Sequence, residues 1–274
     1  MKSIGVLGLG IIGGVWARHY HAAGVLGGAW NRSPQPDFPH WCATPEAVAE
    51  RCDVVQIVVA DPPAVQGVLD RIRSKLGPGK VIVQSSTIDP DSSDRFHGIV
   101  TATGARYLEA PFTGSKPAAE QKQTVYYLGG DEALIAELEP LLGLVSASRS
   151  RIGDHRQAAT LKLAMNLNIA AQMEALSEAL TLARRAGITD DTFFASVARN
   201  VSYSGLVKLK EPKLRDADFS PQFSVKHMAK DLRLAAGMAN AKALPVLQTV
   251  RERLAAAEQA GMGDEDFAAI VKLL

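Results

Sequence analysis

The sequence is poor in cysteine and has almost no excess charge of either sign. Two cysteines, Cys42 and Cys52, occur among 274 residues, which is too few for a disulfide framework, and their spacing does not match that of metal ligands. Lysine and arginine number 30 against 29 for aspartate and glutamate, so the formal net charge is +1. Such a balance lacks the basic field that binds phosphate backbones or anionic membrane surfaces. We therefore expect no metal, no nucleic-acid partner and no membrane partner.

The opening segment, MKSIGVLGLGIIGGV, is apolar but does not have the pattern of a targeting sequence. Glycines interrupt it, a single lysine precedes it, and no small-residue cleavage site follows. We expect neither a signal peptide nor a membrane span here, and we predict a cytoplasmic location.

Strand-like and helix-like segments alternate through the N-terminal part of the chain. Short runs rich in valine and isoleucine, such as DVVQIVV and KVIVQ, are separated by helical segments, one of which begins with Thr44 and Pro45 in the N-cap and first positions. This alternation predicts an α/β domain with a doubly wound, mostly parallel sheet, whose last two strands lie in ARYLEAPFTGS and QTVYYLGGD. After about residue 155 only helical patterns occur. We predict an α/β domain at 1–157 and an all-α domain at 158–274, joined by a long bridging helix at about 158–186.

Three glycines follow the first predicted strand in the spacing G-x-G-x-x-G. Gly8, Gly10 and Gly13 are a weak signal by themselves, but a strand before them and a helix after them supply the context of a dinucleotide-binding turn. Gly8 allows the tight turn, Gly10 lets the backbone approach a pyrophosphate, and Gly13 lets the helix pack closely. We therefore predict a Rossmann domain that binds a dinucleotide. The cofactor-binding residues predicted in this turn are Gly8, Leu9, Gly10, Ile11, Ile12 and Gly13.

The end of the second predicted strand indicates which dinucleotide binds. Proteins that prefer NAD usually carry an acidic residue there for the ribose 2′-hydroxyl. This chain instead has Asn31, Arg32 and Ser33, with no carboxylate until Asp37. An arginine suits a 2′-phosphate, and an exposed loop arginine without a ligand is the alternative. We predict cofactor contacts from Asn31, Arg32 and Ser33, and a preference for NADP(H) over NAD(H).

Three further loops follow predicted strands, at the edge of the sheet where ligands of such folds bind. VVADPPAV is expected to lie along the cofactor, and QSSTIDP offers hydroxyl groups. In APFTGSKPAAE, Thr113, Gly114 and Ser115 present hydroxyls and backbone N–H groups suited to a small carboxylate or carbonyl. Each loop alone is explained equally well as a polar turn, and only their convergence at one edge favours a binding site. The cofactor contacts predicted in the first two loops are Val59, Ala60, Asp61, Ser86 and Thr87.

The bridging helix carries Lys162 and Asn166, which share a helix face because they are four residues apart. A solvated stripe on an exposed helix explains such a pair, and so does a site for proton transfer. The residues alone leave both interpretations open.

Five motifs occur in the order typical of one enzyme family. They are GLGIIG, WNRS, APFTGSKPAAE, the pair Lys162 and Asn166, and KDLRL from Lys230. In these motifs the sequence resembles the β-hydroxyacid dehydrogenase family, which includes 3-hydroxyisobutyrate dehydrogenases. The GSKPAAE variant is most similar to the glyoxylate and succinic semialdehyde reductases. The resemblance extends over nearly the whole chain.

The resemblance implies reduction of a small aldehyde acid to its hydroxy acid, or the reverse, with the substrate at the junction of the two domains. It implies that Lys162 is the catalytic general acid or base, with Asn166 as its partner, and that Thr113, Gly114 and Ser115 bind the substrate carboxylate. It also places Lys230 near both substrate and cofactor and Asp231 near the cofactor.

Other expectations are less specific. By family resemblance the protein is expected to be a homodimer or homotetramer. Phe112 departs from the valine that the family usually has before the substrate loop, which leaves the substrate's identity open. An imine reductase shares the architecture but usually lacks the lysine. A non-catalytic NADP-binding regulatory protein is expected to have lost Lys162 or the Thr113–Ser115 loop, and this chain retains both.

Overall fold

The computed structural model describes residues 1–238 and 243–274. The chain divides into two compact units, Met1–Leu163 and Ala164–Leu274. This division falls inside a long helix, α7 (His155–Arg185), which begins and ends close to the predicted bridging helix. Lys162 therefore belongs to the first unit and Asn166 to the second.

The first unit is built on one sheet. Its strands are β1 (Ile4–Leu7), β2 (Leu26–Trp30), β3 (Val54–Ile57), β4 (Val81–Gln84), β5 (Arg106–Glu109), β6 (Phe112–Thr113), β7 (Thr124–Gly129) and β8 (Ser146–Gly153). Five strands pair in parallel in the order β2-β1-β3-β4-β5, and β7 then pairs antiparallel with β5 and β6. The mostly parallel, doubly wound sheet that the sequence predicts is confirmed.

Helices cover both faces of this sheet. They are α1 (Gly13–Ala22), α2 (Pro45–Arg51), α3 (Pro62–Ile72), α4 (Pro90–Thr101), α5 (Lys116–Glu120) and α6 (Glu132–Leu142), with a 3-10 turn at Arg73–Lys75. Alternate residues of a strand point to opposite faces, so Val6 packs in a cluster with α1 and α6, whereas Leu7 packs in another with α2, α3 and α4. As predicted, Thr44 caps α2 by accepting from the backbone N–H of Ala47.

Two parts of the sheet differ from the sequence-based expectation. The predicted fifth strand is two strands, because the chain leaves β5 after Glu109 and pairs again as β6 at Phe112 and Thr113. The strand β8 was not predicted, since its sequence SASRSRIG alternates serine and arginine without an apolar face. It pairs in parallel with β7 at the edge of the sheet, where exposed arginines are compatible with an edge strand.

The second unit consists of helices wherever the structure describes it. After the C-terminal part of α7 come α8 (Asp190–Val197), α9 (Gly205–Asp216), α10 (Val225–Gly237), α11 (Pro245–Gln259) and a 3-10 helix at Phe267–Leu273. Of the helices described, none is both long and apolar enough to cross a bilayer.

A buried ion pair connects three segments of the second unit. Lys210, 1% exposed, donates to both carboxylate oxygens of Asp266 at 2.7 and 2.9 Å. The same carboxylate accepts backbone N–H groups from Gln222, Phe223 and Ala268. It therefore joins α9 and the turn before α10 to the C-terminal 3-10 helix.

Replacing Lys210 with methionine is expected to lower the free energy of unfolding by about 3–5 kcal/mol, because it leaves the Asp266 carboxylate buried without its counter-ion. Lys226→Met, in the exposed Lys226–Asp264 pair, is the matched control and is expected to lower the free energy of unfolding much less, because water screens an exposed pair. Urea titrations followed by far-ultraviolet circular dichroism measure both. Equal losses in the two variants would contradict a special contribution from the buried pair.

Candidate functional site

The loops that follow the parallel strands of the first unit meet at one edge of the sheet. Because β1 to β5 run in the same direction, the segments after Leu7, Trp30, Ile57, Gln84 and Glu109 all leave the sheet at that edge. The glycine turn and the loops containing Arg32, Val59, Ser86 and Thr113 are these segments. The predicted convergence of the loops is therefore present, while the roles of their residues stay predictions.

The glycine turn has the geometry that a dinucleotide phosphate requires. Gly8 has a φ of +108°, and a β-carbon on Gly13 would stand 2.0 Å from the carbonyl oxygen of Gly8, so neither position accepts a side chain. A β-carbon on Gly10 would meet no atom within 4 Å. The helix α1 begins here with no acidic residue in its first turn. Open space beside a helix N-terminus suits an anion, so the residues present fit a cofactor pyrophosphate.

Asn31 supports this turn directly. Its side-chain oxygen accepts from the backbone N–H of Leu9 at 3.1 Å, and its amide nitrogen donates to the carbonyl of Ser33 at 3.1 Å. Arg32 and Ser33 are exposed at the end of β2. The neighbouring Arg71 is already engaged, because its guanidinium donates twice to Glu46.

The loops after β3 and β4 are joined by one hydrogen bond. The backbone N–H of Val59 donates to the hydroxyl of Ser86 at 2.8 Å. Asp61 caps helix α3 by accepting from the backbone N–H of Ala64 at 2.8 Å. One oxygen of the Asp61 carboxylate therefore has a structural role, which the sequence analysis did not assign to it.

The predicted substrate loop is held from two sides. Thr113 pairs with Val125 in the short β6–β7 ladder. Gly114 has a φ of +120°, which favours glycine. At the far end of α5, the His19 ring bonds to the carbonyl oxygen of Ala119 at 3.1 Å and ties this helix to α1. The hydroxyl of Ser115 does not cap α5, although Ser115 occupies the N-cap position.

Lys162 lies beside the start of this loop. Its ammonium is 5.9 Å from the centroid of the Phe112 ring, within the range of a cation–π contact. Phe112 in turn packs edge-on against Trp16, with the ring centroids 4.6 Å apart. Lys162 is 9% exposed, so the solvated-stripe interpretation is wrong for this lysine.

In the second unit, Asn166 and Lys230 share a partner. The amide nitrogen of Asn166 donates to one oxygen of Asp231 at 2.6 Å, and the Lys230 ammonium lies 2.6 Å from the other oxygen. Asn166 and Asp231 are each 2% exposed. Asp231 therefore fixes the direction in which the Asn166 amide faces. Sequence reasoning placed Asp231 near the cofactor and missed this connection, because the two residues are 65 positions apart.

Among residues 1–238 and 243–274, no group of three or more histidine, cysteine, aspartate or glutamate side chains is arranged to hold a metal ion.

Comparison with known families and structures agrees with this geometry. Residues 3–153 match the model for the NAD binding domain of 6-phosphogluconate dehydrogenase, and residues 157–274 match the NAD-binding model of NADP-dependent 3-hydroxyisobutyrate dehydrogenase. The chain belongs to the β-hydroxyacid dehydrogenase family. This β-hydroxyacid dehydrogenase is an NAD(P)-dependent oxidoreductase, and the predicted family and enzyme class are confirmed.

Two plant reductases and one bacterial crystal structure are similar to nearly the whole chain. Glyoxylate/succinic semialdehyde reductase 2, chloroplastic, of Arabidopsis thaliana is 30% identical over 99% of this chain and 79% of that protein. Reductase 1 of the same plant is 29% identical over 98% of this chain and 97% of that protein. The crystal structure of 3-hydroxyisobutyrate dehydrogenase from Salmonella typhimurium is 28% identical, covers 100% of both chains and has a TM-score of 0.89.

Gly10→Ala and Gly13→Ala are expected to fail in different ways. The first fills space that no protein atom occupies, so it is expected to weaken NADPH binding about tenfold or more while leaving stability unchanged. The second forces a β-carbon against the Gly8 carbonyl and is expected to cost about 1–3 kcal/mol of stability.

NADPH fluorescence titration and thermal denaturation separate the two effects. Gly67→Ala is the control, because a β-carbon at this α3 position also meets no atom within 4 Å and lies outside the loops described here. Unchanged NADPH affinity in Gly10→Ala would contradict the phosphate position.

Proposed function

We propose that this dehydrogenase uses NADPH to reduce a small aldehyde acid, of the glyoxylate or succinic semialdehyde type, to its hydroxy acid, and that it catalyses the reverse oxidation. The Arabidopsis relatives are named for these two substrates. The observation that carries the proposal is the burial of Lys162 with its ammonium 5.9 Å from the ring centroid of Phe112, the residue that directly precedes Thr113 in the substrate loop.

Lys162 is the general acid in this proposal. When bound, the nicotinamide cofactor supplies the hydride that the carbonyl carbon accepts. Negative charge then develops on the carbonyl oxygen, and a buried ammonium both stabilises that charge and donates the proton. In the oxidation direction the neutral amine takes the proton of the alcohol. Phe112 offsets part of the cost of keeping the ammonium away from water.

The substrate carboxylate is assigned to the loop that Phe112 begins. The hydroxyls of Thr113 and Ser115 and the backbone N–H groups after Gly114 supply donors for an acidic group. Asn166, whose amide direction is set by Asp231, is assigned to orient the substrate hydroxyl, and Lys230 to contact substrate and cofactor.

Lys162→Ala is expected to lower kcat by about 10²–10⁴-fold, the usual contribution of a positioned general acid, while the Kd for NADPH stays within about twofold of wild type. Steady-state rates of NADPH oxidation with glyoxylate and with succinic semialdehyde measure kcat. Lys75→Ala is the control, since Lys75 is an exposed lysine of the first unit that pairs with Glu50 and lies outside the loops described above. Near-wild-type turnover by folded Lys162→Ala protein would contradict the mechanism.

A substrate screen distinguishes the alternatives. Wild-type protein is expected to oxidise NADPH with small aldehyde acids faster than with simple ketones or cyclic imines. Faster turnover of cyclic imines would indicate an imine reductase. Tight NADPH binding without turnover of any of these compounds would indicate a regulatory protein.

Arg32 is assigned to the cofactor 2′-phosphate, with Asn31 and Ser33 beside it. Arg32→Ala is expected to weaken NADPH binding about 10- to 100-fold, the loss of a hydrogen-bonded charge pair, and to change NADH binding by less than about twofold. Parallel titrations with the two cofactors measure the discrimination. Arg71→Ala is the control, because that guanidinium is held by Glu46. Loss of affinity for both cofactors to the same degree would refute the assignment.

A further inference from the structure

A fully buried carboxyl group lies at the end of β5, directly before the substrate loop. Glu109 is 0% exposed. One of its oxygens accepts from the hydroxyls of Ser93 at 2.6 Å and Tyr107 at 2.5 Å, and the other accepts from the amide nitrogen of Gln84 at 2.9 Å. A buried carboxylate is stable only when such donors satisfy it. Glu109 takes no part in the proposed proton transfer or in substrate binding.

The Gln84 amide links the Glu109 carboxyl to the loop after β4. Its nitrogen also donates to the carbonyl of Ser86 at 2.8 Å, and its oxygen accepts from the backbone N–H of Ser86 at 2.7 Å. Both bonds require one orientation of the amide, and a flipped amide breaks both. An ionised carboxylate accepts hydrogen bonds and donates none. Glu109 in its ionised form therefore selects the orientation that holds Ser86.

Ser86 extends the network to the neighbouring loop. Its hydroxyl accepts the backbone N–H of Val59. The chain of bonds thus runs from Glu109 through Gln84 and Ser86 to the segment after β3. Val59 and Ser86, at its end, are among the residues that the sequence predicts to contact the cofactor.

We propose that Glu109 is a positioning residue for the cofactor: as a carboxylate it orients Gln84, and Gln84 holds the loops after β3 and β4 in their binding conformation. This inference rests on the proposed NADPH-dependent function, with the loops after β3 and β4 contacting the cofactor as the sequence predicts. It adds a dependence of cofactor affinity on the ionisation of a group that does not touch the cofactor.

The ionisation of Glu109 falls in an accessible pH range. Burial raises its pKa to about 7, opposed by the hydrogen bonds from Ser93, Tyr107 and Gln84. Below that pH the group is protonated, becomes a donor and loses its preference for the amide nitrogen of Gln84. Cofactor affinity is therefore expected to fall as the pH falls through about 7.

Other ionisable groups lie near this carboxyl. The Tyr107 ring is 5.7 Å from that of His97 and 6.4 Å from that of His155. Burial lowers the pKa of His97, and burial raises that of Tyr107 well above its usual value, so Tyr107 stays protonated. The charged groups of α4 and α7 around the two histidines are Asp91, Asp94 and Arg156.

The test is the Kd of NADPH, measured by fluorescence from pH 5.5 to 8.5, in wild type and Glu109→Gln. As the pH falls below 7, the NADPH affinity of wild type is expected to fall about fivefold more than that of the variant. The reason is that a hydrogen bond to a charged carboxylate becomes one to a neutral group. Glu109→Gln is expected to bind weakly at every pH, without that step. Ionisation of the cofactor phosphate changes the Kd of both proteins alike, so it cancels in the ratio of the two Kd values. Parallel pH profiles would overturn the proposal.

Two further variants assign the step to Glu109. Ser93→Ala removes a donor that favours the carboxylate, so the step is expected to move to higher pH, which a packing defect alone does not produce. His97→Asn is expected to keep the step where it is. A step that is lost in His97→Asn, or unmoved in Ser93→Ala, would overturn the proposal. Ser93→Ala and His97→Asn decide the question if Glu109→Gln does not fold.

Hydrogen exchange of the cofactor-free protein provides an independent readout. The backbone amides of Val59 and Ser86 are expected to exchange faster in Glu109→Gln, whereas those of the β1 strand stay protected. Faster exchange with unchanged NADPH affinity would overturn the role in cofactor binding. Failure of the aldehyde acid proposal is distinguishable, because it is seen as missing turnover with these binding profiles intact.

Discussion

The parallel pairing of β1 to β5 is the constraint on which the first unit depends. Parallel strands require a crossover after each strand, so every strand end delivers a loop to the same edge. The glycine turn, the Arg32 segment and the loops of Val59, Ser86 and Thr113 therefore leave the sheet at one edge because of the strand order. The glycine turn also requires close packing of helix α1. A β-carbon on Gly13 would stand 2.0 Å from the carbonyl oxygen of Gly8, so only glycine fits there.

Hydrogen bonds from side chains to loop backbone then restrain these loops. Loops are ordinarily the mobile part of a fold, but here polar side chains at the strand ends hold them. Asn31 accepts a hydrogen bond from the backbone N–H of Leu9. The Gln84 amide accepts from the backbone N–H of Ser86 and donates to its carbonyl oxygen. In the second unit, Asp231 does the same for Asn166. Each arrangement is costly to leave partly unsatisfied, because a buried polar group without its partner loses the compensation for desolvation. Such networks therefore favour one arrangement of the binding groups.

The sequence predicts the features that depend on local patterning. The order of strands and helices, the glycine turn before α1 and the Thr44 cap follow from spacing and residue type alone. The strand β8 was missed because its stability comes from pairing with β7, and its own residues have no apolar period. The break between β5 and β6 was missed for a related reason, since it is set by pairing with β7 rather than by the continuous pattern ARYLEAPFT.

The polar partners of the candidate site were harder to predict than its reactive groups. Lys162 and Asn166 are conspicuous in an apolar helix, and Arg32 stands where a carboxylate is usual. By contrast, Gln84, Glu109 and Asp231 are ordinary polar residues, and each has a partner that is distant along the chain. Gln84 bonds to Glu109 across 25 positions, and Asn166 bonds to Asp231 across 65. Only three-dimensional proximity identifies them, because pairing between distant residues leaves no periodic signal.

Phe112 illustrates how one departure from a family pattern acquires a physical meaning. An aromatic ring at this position is bulkier than valine, and it packs between Trp16 and the Lys162 ammonium. The ring is held on one side by the indole of Trp16, so it has little freedom to move. The same ring attracts the cation. In the proposed function, this one side chain therefore both borders the substrate loop and contacts the proton donor.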